Sequence, residues 1–164
     1  FLTHLYLIRT EELVYVHTPA TDTLNQPVSA IGIQPGAVIT EFRIRPKTAT
    51  FAETTSEVAD GTIFTSTISL PLKGTATDVT NWRHANGKRR FILLTRDALG
   101  SCYMIGSADN GARLSWSRQV GSQSLHQLLF TVVNWHAAQF IPTLDLELLY
   151  PNRDFDYSFD ISFK

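Results

Sequence analysis

The sequence predicts a mainly β fold, a β-sandwich or partly closed barrel of about ten strands with one short flanking helix. Apolar and polar residues alternate along most of the chain, and Thr, Ser, Asn and Gln supply much of its polarity. Charged residues make up only 18% of the 164 residues. This length fits one domain, so we expect residues 1–164 to form a single β-rich unit with a long irregular loop at residues 18–36.

The predicted strands are at residues 4–9, 13–17, 37–45, 49–56, 61–72, 91–94, 102–105, 112–118, 125–136, 144–148 and 155–163. The first two should form a hairpin around Arg9–Glu12. The fourth and fifth should form another across residues 58–61, because Asp60-Gly61 favours a turn with positive φ. The loop at 18–36 is rich in Thr, Pro, Asn, Gln and Gly, and is interrupted at most by a short strand at 28–31.

The one predicted helix spans residues 78–86, and we expect Gly87 to close it in the left-handed conformation. Val79, Trp82 and Arg83 lie on one stripe of this helix, so Trp82 should pack on the sheet. The strands that follow are apolar on both faces, which is typical of central strands that are buried on both sides.

Patterns that carry catalytic or metal chemistry are weak, so we expect no catalytic site, no metal and no cofactor. The histidines lack the close spacing of metal-ligand pairs, and Cys102 lies in an apolar strand where a thiol is inert. Asn152, Asp154 and Asp156 begin like a calcium-binding EF-hand loop, but Tyr157 stands where that loop needs glycine. The sequence therefore predicts a protein that is not an enzyme.

Charge is unevenly distributed in a chain whose net charge is only −1. Near-neutrality argues against a general nucleic-acid binder, and no apolar run is long enough for a membrane helix, so we expect no membrane partner. Such charge blocks are commonly ordinary solvated surface, but opposite charges at two ends of a molecule would favour head-to-tail association. The candidates for a subunit interface or a DNA-lining lumen are Arg83, Lys88, Arg89, Arg90, Arg96, Glu53, Glu57 and Asp60.

The middle of the chain carries a family resemblance over roughly residues 49–135. The segments concerned are Phe51–Thr55, Thr62–Thr67, the helix around Trp82, Lys88-Arg89-Arg90, Phe91–Asp97, Gly100, Tyr103–Gly106 and Gly111–Leu114. Their order resembles that in small virion structural proteins of tailed bacteriophages and prophages, particularly those with a tail-tube-like fold. The resemblance implies a β-sandwich flanked by a helix that assembles into rings, commonly hexameric, which stack on or cap a tube carrying DNA.

The resemblance further implies identical subunits and neighbouring tail or neck proteins as partners, non-specific DNA in a lumen, and a place in the virion after assembly in the bacterial host cytoplasm. The function expected is a ring-forming tail subunit of the tube, terminator, connector or baseplate. One alternative is a carbohydrate- or receptor-binding β-sandwich with Trp116, Trp135 and Tyr150 as sugar-stacking aromatics. A second alternative is a jelly-roll hydrolase with Asp145 and Glu147 as its acid pair.

Overall fold

The computed structural model describes residues 1–18, 28, 30–73, 77–120, 124–142 and 158–159. Within them, one helix, α1 (Thr77–Asn86), accompanies twelve strands. The strands are β1 (Leu2–Arg9), β2 (Leu13–His17), β3 (Ala30–Ile33), β4 (Thr40–Arg43), β5 (Thr50–Val58), β6 (Gly61–Lys73), β7 (Arg90–Asp97), β8 (Cys102–Ile105), β9 (Ala112–Val120), β10 (Ser124–Asn134), β11 (Gln139–Ile141) and β12 (Ser158–Phe159). The predicted mainly β fold is confirmed; the arrangement is sandwich-like and does not close into a barrel.

One large sheet contains most of these strands, in the order β12-β4-β1-β7-β9-β10-β6-β5. All of its pairs are antiparallel except β12 with β4. The sheet forks at β7: the first residues, Arg90 and Phe91, pair with β9, whereas Leu93–Arg96 pair with β8, which in turn pairs with β11. Strands β2 and β3 form a separate two-stranded sheet.

Apolar clusters cover both faces of the large sheet. On β1, Leu5 and Leu7 belong to the cluster that α1 covers through Trp82. The alternating residues, Tyr6 and Ile8, belong to the cluster on the other face, to which residues of β2 and β3 contribute. The central, doubly buried strands predicted at 91–94 and 102–105 are present as β7 and β8.

The hairpin predicted around Arg9–Glu12 is wrong. A 3-10 turn at Thr10–Glu12 separates β1 from β2, and the two strands pair with different partners. The apolar residues of β1 on both faces place it between β4 and β7, where both faces are covered. Strand β2 is largely exposed and pairs instead with β3, and residues of both strands pack on the second face of the large sheet.

Helix α1 confirms the predicted helix, with one correction at its end. The backbone of Gly87 does not have positive φ, so this residue is not the left-handed cap that the sequence predicts. Its amide continues the helical pattern and donates a 2.7 Å hydrogen bond to the carbonyl of Arg83. A Cβ at Gly87 would lie 2.9 Å from that oxygen, so glycine serves here for close approach.

The hairpin of β5 and β6 is confirmed and extends beyond the rest of the sheet. Its pairs run from Thr50 with Ser69 to Val58 with Gly61. Strand β10 follows β6 only as far as the pair of Asn134 with Phe64. The last three pairs, over Ser56–Ile63, therefore have no third strand beside them and project by roughly 10 Å at about 3.3 Å per residue.

Other expectations fall largely outside the described residues. The irregular segment at 18–36 includes the short strand β3, but residues 19–27 and 29 lie outside. The predicted strand at 144–148 also lies outside, and of the one at 155–163 only β12 is described. In the described part of the chain, no helix is long and apolar enough to cross a membrane.

Candidate functional site

A groove of about 770 Å³ lies between the end of α1, the 3-10 turn at Thr10–Glu12 and strand β9. We call it the basic groove. Its lining residues are Arg83, His84, Ala85, Gly87, Lys88, Arg89 and Arg90 from the segment between α1 and β7, Thr10 and Glu11 from the turn, and Leu114 and Trp116 from β9. Four of the five basic residues proposed from sequence therefore meet in one place.

The exception is Arg96, which lies near the far end of β7, where it pairs with Cys102 and with His4. The other four gather because α1 ends at Asn86 and the chain needs only a short turn to enter β7. Side-chain hydrogen bonds hold this turn: the Asn86 amide nitrogen donates to the Trp82 carbonyl at 2.9 Å, and its oxygen accepts from Arg9 Nε at 3.2 Å.

The groove has more positive charge than its own ion pairs neutralise. Arg89 forms a salt bridge with Glu11, which is the only acidic residue among the described residues that line the groove. Arg90 donates to the Gly111 carbonyl at 3.3 Å, and Lys88 has no ion-pair partner in the described part of the chain. The groove is therefore suited to an anionic partner.

Trp116 lines the groove and is in contact with cationic and aromatic side chains. The guanidinium carbon of Arg83 lies 3.4 Å from the centroid of the indole ring, a cation–π contact. The ring of His126 is stacked with the same indole at a centroid distance of 6.4 Å and an interplanar angle of 16°. A sugar that stacked on the face covered by Arg83 would first have to displace the guanidinium.

A smaller cavity of about 60 Å³ adjoins the groove between α1, β9 and β10. It shares Arg83 and Trp116 with the groove and is also lined by Arg118 and His126. Arg83 Nη1 and His126 Nε2 are buried and have no hydrogen-bond partner among the described residues. Burial lowers the pKa of His126 from its ordinary value, and the charges of Arg118 and Arg83 lower it further.

The three acidic residues proposed from sequence lie on the hairpin of β5 and β6, but they differ in their contacts. Glu57 and Asp60 are exposed at its tip. Glu53 lies further back, where its Oε2 accepts hydrogen bonds of 2.8 Å from Ser66 Oγ and from the amide of Ala138. Glu53 thus holds the edge of the sheet together, and only Glu57 and Asp60 remain as a charged tip.

The acidic tip is far from the basic groove of the same chain. Trp116 is paired with Leu128, and Leu128 is paired with Leu70 of β6. Gly61, at the tip, is nine residues from Leu70 along β6, which corresponds to roughly 30 Å at about 3.3 Å per residue. The two opposite charges therefore lie at separate positions along the strand direction.

Sequence reasoning missed the groove residues that come from other parts of the chain. Glu11, Leu114, Trp116 and the cavity residue His126 join the basic segment through pairing between distant strands, which no local pattern reports. The alternation over residues 112–118 does predict Leu114 and Trp116 on one face of a strand, but it does not predict that this face lines the groove.

No three His, Cys, Asp or Glu side chains in the described ranges are grouped so that they could hold a metal ion. Of the sugar-stacking candidates, Trp135 is 82% exposed, and Tyr150 lies outside the described residues, as do the carboxylates Asp145 and Glu147. Comparison of the chain with known protein families, with curated proteins and with solved structures finds no match.

Proposed function

We propose that this chain is a non-enzymatic structural component of a phage virion, a ring-forming tail subunit of the tube, terminator, connector or baseplate. Its identical subunits associate head to tail, with the acidic tip of one subunit in the basic groove of the next. The observation that carries the proposal is the separation of the two charges by roughly 30 Å along the strands of a chain with a net charge of −1.

The separation of charges supports a ring because the two surfaces differ and can be used at the same time. A contact between two different surfaces of identical subunits repeats from one subunit to the next and closes when the rotation per subunit allows it. The projecting hairpin provides reach, since its last three residue pairs are free of the sheet. Complementary charge sets the register and speeds encounter more than it adds affinity.

A charge-exchange experiment tests the contact. Reversal of Arg89 and Arg90 to Glu should slow assembly, and so should Glu57→Arg combined with Asp60→Arg. The two pairs of changes together should restore assembly, because the charges are then exchanged. Light scattering and mass photometry measure the assembly rate and the particle mass. The matched control is Arg96→Glu, a reversal outside the groove, which should assemble at the normal rate.

Salt provides an independent check on the same contact. At roughly 0.1 M ionic strength, charges separated by more than about 10 Å are screened, so added salt should slow the wild type as the reversals do. Assembly rates that respond neither to salt nor to reversal would contradict the hairpin contact. If Arg89 and Arg90 instead line a lumen, their reversal would leave assembly intact and abolish salt-dependent binding of DNA.

The exposed indole of Trp135 favours a second candidate function, a carbohydrate-binding β-sandwich. This side chain is 82% exposed just beyond the end of β10, and an exposed indole offers an apolar face on which a sugar ring can stack. Glycan-array binding that is lost in Trp135→Ala and retained in Trp116→Ala would support this candidate. A monomer that binds glycans would favour it over the ring.

A further inference from the structure

The small cavity beside the basic groove is lined by polar and charged side chains together with Val79 and Leu128, and two of its nitrogen atoms lack a hydrogen-bond partner among the described residues. Arg83 reaches it from α1, Arg118 from β9 and His126 from β10. Arg83 Nη1 and His126 Nε2 are both buried without a hydrogen-bond partner in the described part of the chain. His126 is only 9% exposed, so bulk water does not hydrate its ring freely.

Buried polar groups without hydrogen-bond partners lower the stability of the folded protein, and buried charged groups do so more strongly. Arg83 Nη2 contacts His84 Nε2 at 3.3 Å, so it is the Nη1 side of the always-charged guanidinium that lacks a partner. With His126 Nε2 carrying its proton, two donors at one cavity indicate a place where an acceptor belongs. That acceptor would also complete the network that holds Arg83 against Trp116.

The positive charge around the cavity favours binding of an anion over binding of a neutral acceptor. Arg83 faces it from α1 and Arg118 from β9, while Leu72 of β6 is the residue paired with His126 on its other side. No acidic side chain is among the described residues that line the cavity. An anion would be attracted by both arginines and would favour protonation of the imidazole.

We propose that this cavity binds a single carboxylate group, with Arg83 and His126 as its hydrogen-bond donors. The volume of about 60 Å³ is near twice the ~30 Å³ that one water molecule occupies in the liquid, so the space suits a carboxylate head. The carboxylate could be that of Glu57 or Asp60 from a neighbouring copy, an assignment that rests on the proposed function. It could equally belong to a small free carboxylic acid.

The first test uses acetate and the dispersed wild-type protein. The pH titration of the histidine ring nitrogens is followed by NMR in sodium acetate and in sodium chloride of equal ionic strength. Acetate should raise the pKa of His126 saturably, by about one unit, because an opposite charge then lies within a few ångströms. His4, which faces Glu41 elsewhere in the sheet, is the internal control and should titrate alike in both salts.

Two variants test which arginine the response of His126 to acetate depends on. Arg83→Gln should abolish the response of His126 to acetate, whereas Arg113→Gln should preserve it, since Arg113 lies in β9 on the face opposite Trp116. A titration of His126 that is the same in acetate and chloride would overturn the proposal, and would indicate that the cavity does not bind a carboxylate. This result needs no variant, so a poorly folded Arg83→Gln protein would not obscure it.

The source of the carboxylate is decided by assembly kinetics. If the hairpin of a neighbour supplies it, acetate should slow assembly more than chloride does at equal ionic strength, and Glu57→Gln with Asp60→Asn should remove that difference. If acetate binds His126 but leaves assembly unchanged, the cavity takes a free carboxylate, and the hairpin contact in the basic groove is judged separately by the charge-exchange experiment.

Discussion

Trp82 and Thr40 join the helix to the sheet through a buried hydrogen bond: the indole Nε1 donates to Thr40 Oγ1 at 3.2 Å. The same indole meets the edge of Phe42 at a centroid distance of 5.5 Å and is stacked with Phe91 at 5.9 Å. Since α1 leads directly into the basic groove, Trp82 helps to set the position of the groove, together with the hydrogen bonds of Asn86.

Replacement of Trp82 by alanine should therefore be strongly destabilising. Trp82 is 9% exposed, and loss of a large buried aromatic side chain typically costs about 3–5 kcal/mol. The matched control is Trp135→Ala, which removes an indole that is 82% exposed and should change the unfolding free energy by less than about 0.5 kcal/mol. Urea denaturation measures both, and equal effects would contradict the packing of α1.

Substitution of Glu53 should mainly lower stability, whereas substitution of Glu57 should mainly slow assembly. Glu53→Gln weakens two hydrogen bonds to a carboxylate and should cost about 1–3 kcal/mol of unfolding free energy. Glu57→Gln, at the exposed tip, should leave stability nearly unchanged and slow assembly. Thermal unfolding and assembly rates of the two variants are compared directly. The reverse assignment would place the contact at the base of the hairpin.

Stability should fall as the pH is lowered below about 6.5. Burial is the main cause that lowers the pKa of both His126 and His4 from 6.5 in the folded protein. The unfolded chain therefore binds protons at a pH where the folded chain does not, and protonation favours unfolding. This contribution to stability is fully present above pH 6.5 and is lost as the pH falls toward the lower, folded values.

The measurement is the urea midpoint at pH 7.5, 6.5 and 5.5. His126→Gln should show a smaller decline with pH than the wild type, and His4→Gln should remove a further, separate part. The cause at His4 is again mainly burial, opposed by Glu41 and reinforced by Arg96 and Arg43. A decline that is unchanged in both variants would show that other groups dominate acid unfolding.

Two glycines with positive φ should differ in their tolerance of a side chain. Gly100 has φ of +87°, and a Cβ added there would meet nothing within 4 Å, so Gly100→Ala should cost about 1 kcal/mol for the left-handed backbone alone. At Gly106, with φ of +94°, a Cβ would lie 3.3 Å from the Phe91 carbonyl oxygen. Gly106→Ala should cost about 2–3 kcal/mol, and equal melting temperatures would contradict this.

The elements that the sequence predicts well are those set by local pattern. The helix appears at Thr77–Asn86, and the β5–β6 hairpin is anchored by Asp60-Gly61. The pairing of β1 could not be predicted in this way, because a short connection such as Thr10–Glu12 suits a hairpin as well as a 3-10 turn. Burial of both faces of β1, a property of the whole sheet, decided the outcome.

The residues of the candidate site also differ in whether a local sequence pattern predicts them. The run from Arg83 to Arg90 is contiguous and could be seen as one basic cluster, whereas Arg96 is close in sequence but six residues further along an extended strand. Trp116 and His126 entered the site through the register of β9 and β10. Long-range pairing of this kind leaves no signature in a single sequence.

The fork at β7 divides the large sheet into two halves that meet at a short seam. Among the described strand pairs, two join the β9-β10-β6-β5 half to β7: Arg90 with Arg113, and Phe91 with Ala112. The first of these sets two like charges opposite each other. A single apolar cluster bridges this seam, with Phe91 of β7 in contact with Phe130 of β10 at a ring-centroid distance of 6.2 Å. Side-chain packing, more than strand pairing, therefore joins the two halves. The basic groove lies beside this seam and the acidic tip at the outer edge of one half. The orientation of the hairpin half relative to the groove is therefore set by how the core side chains fit together at this seam.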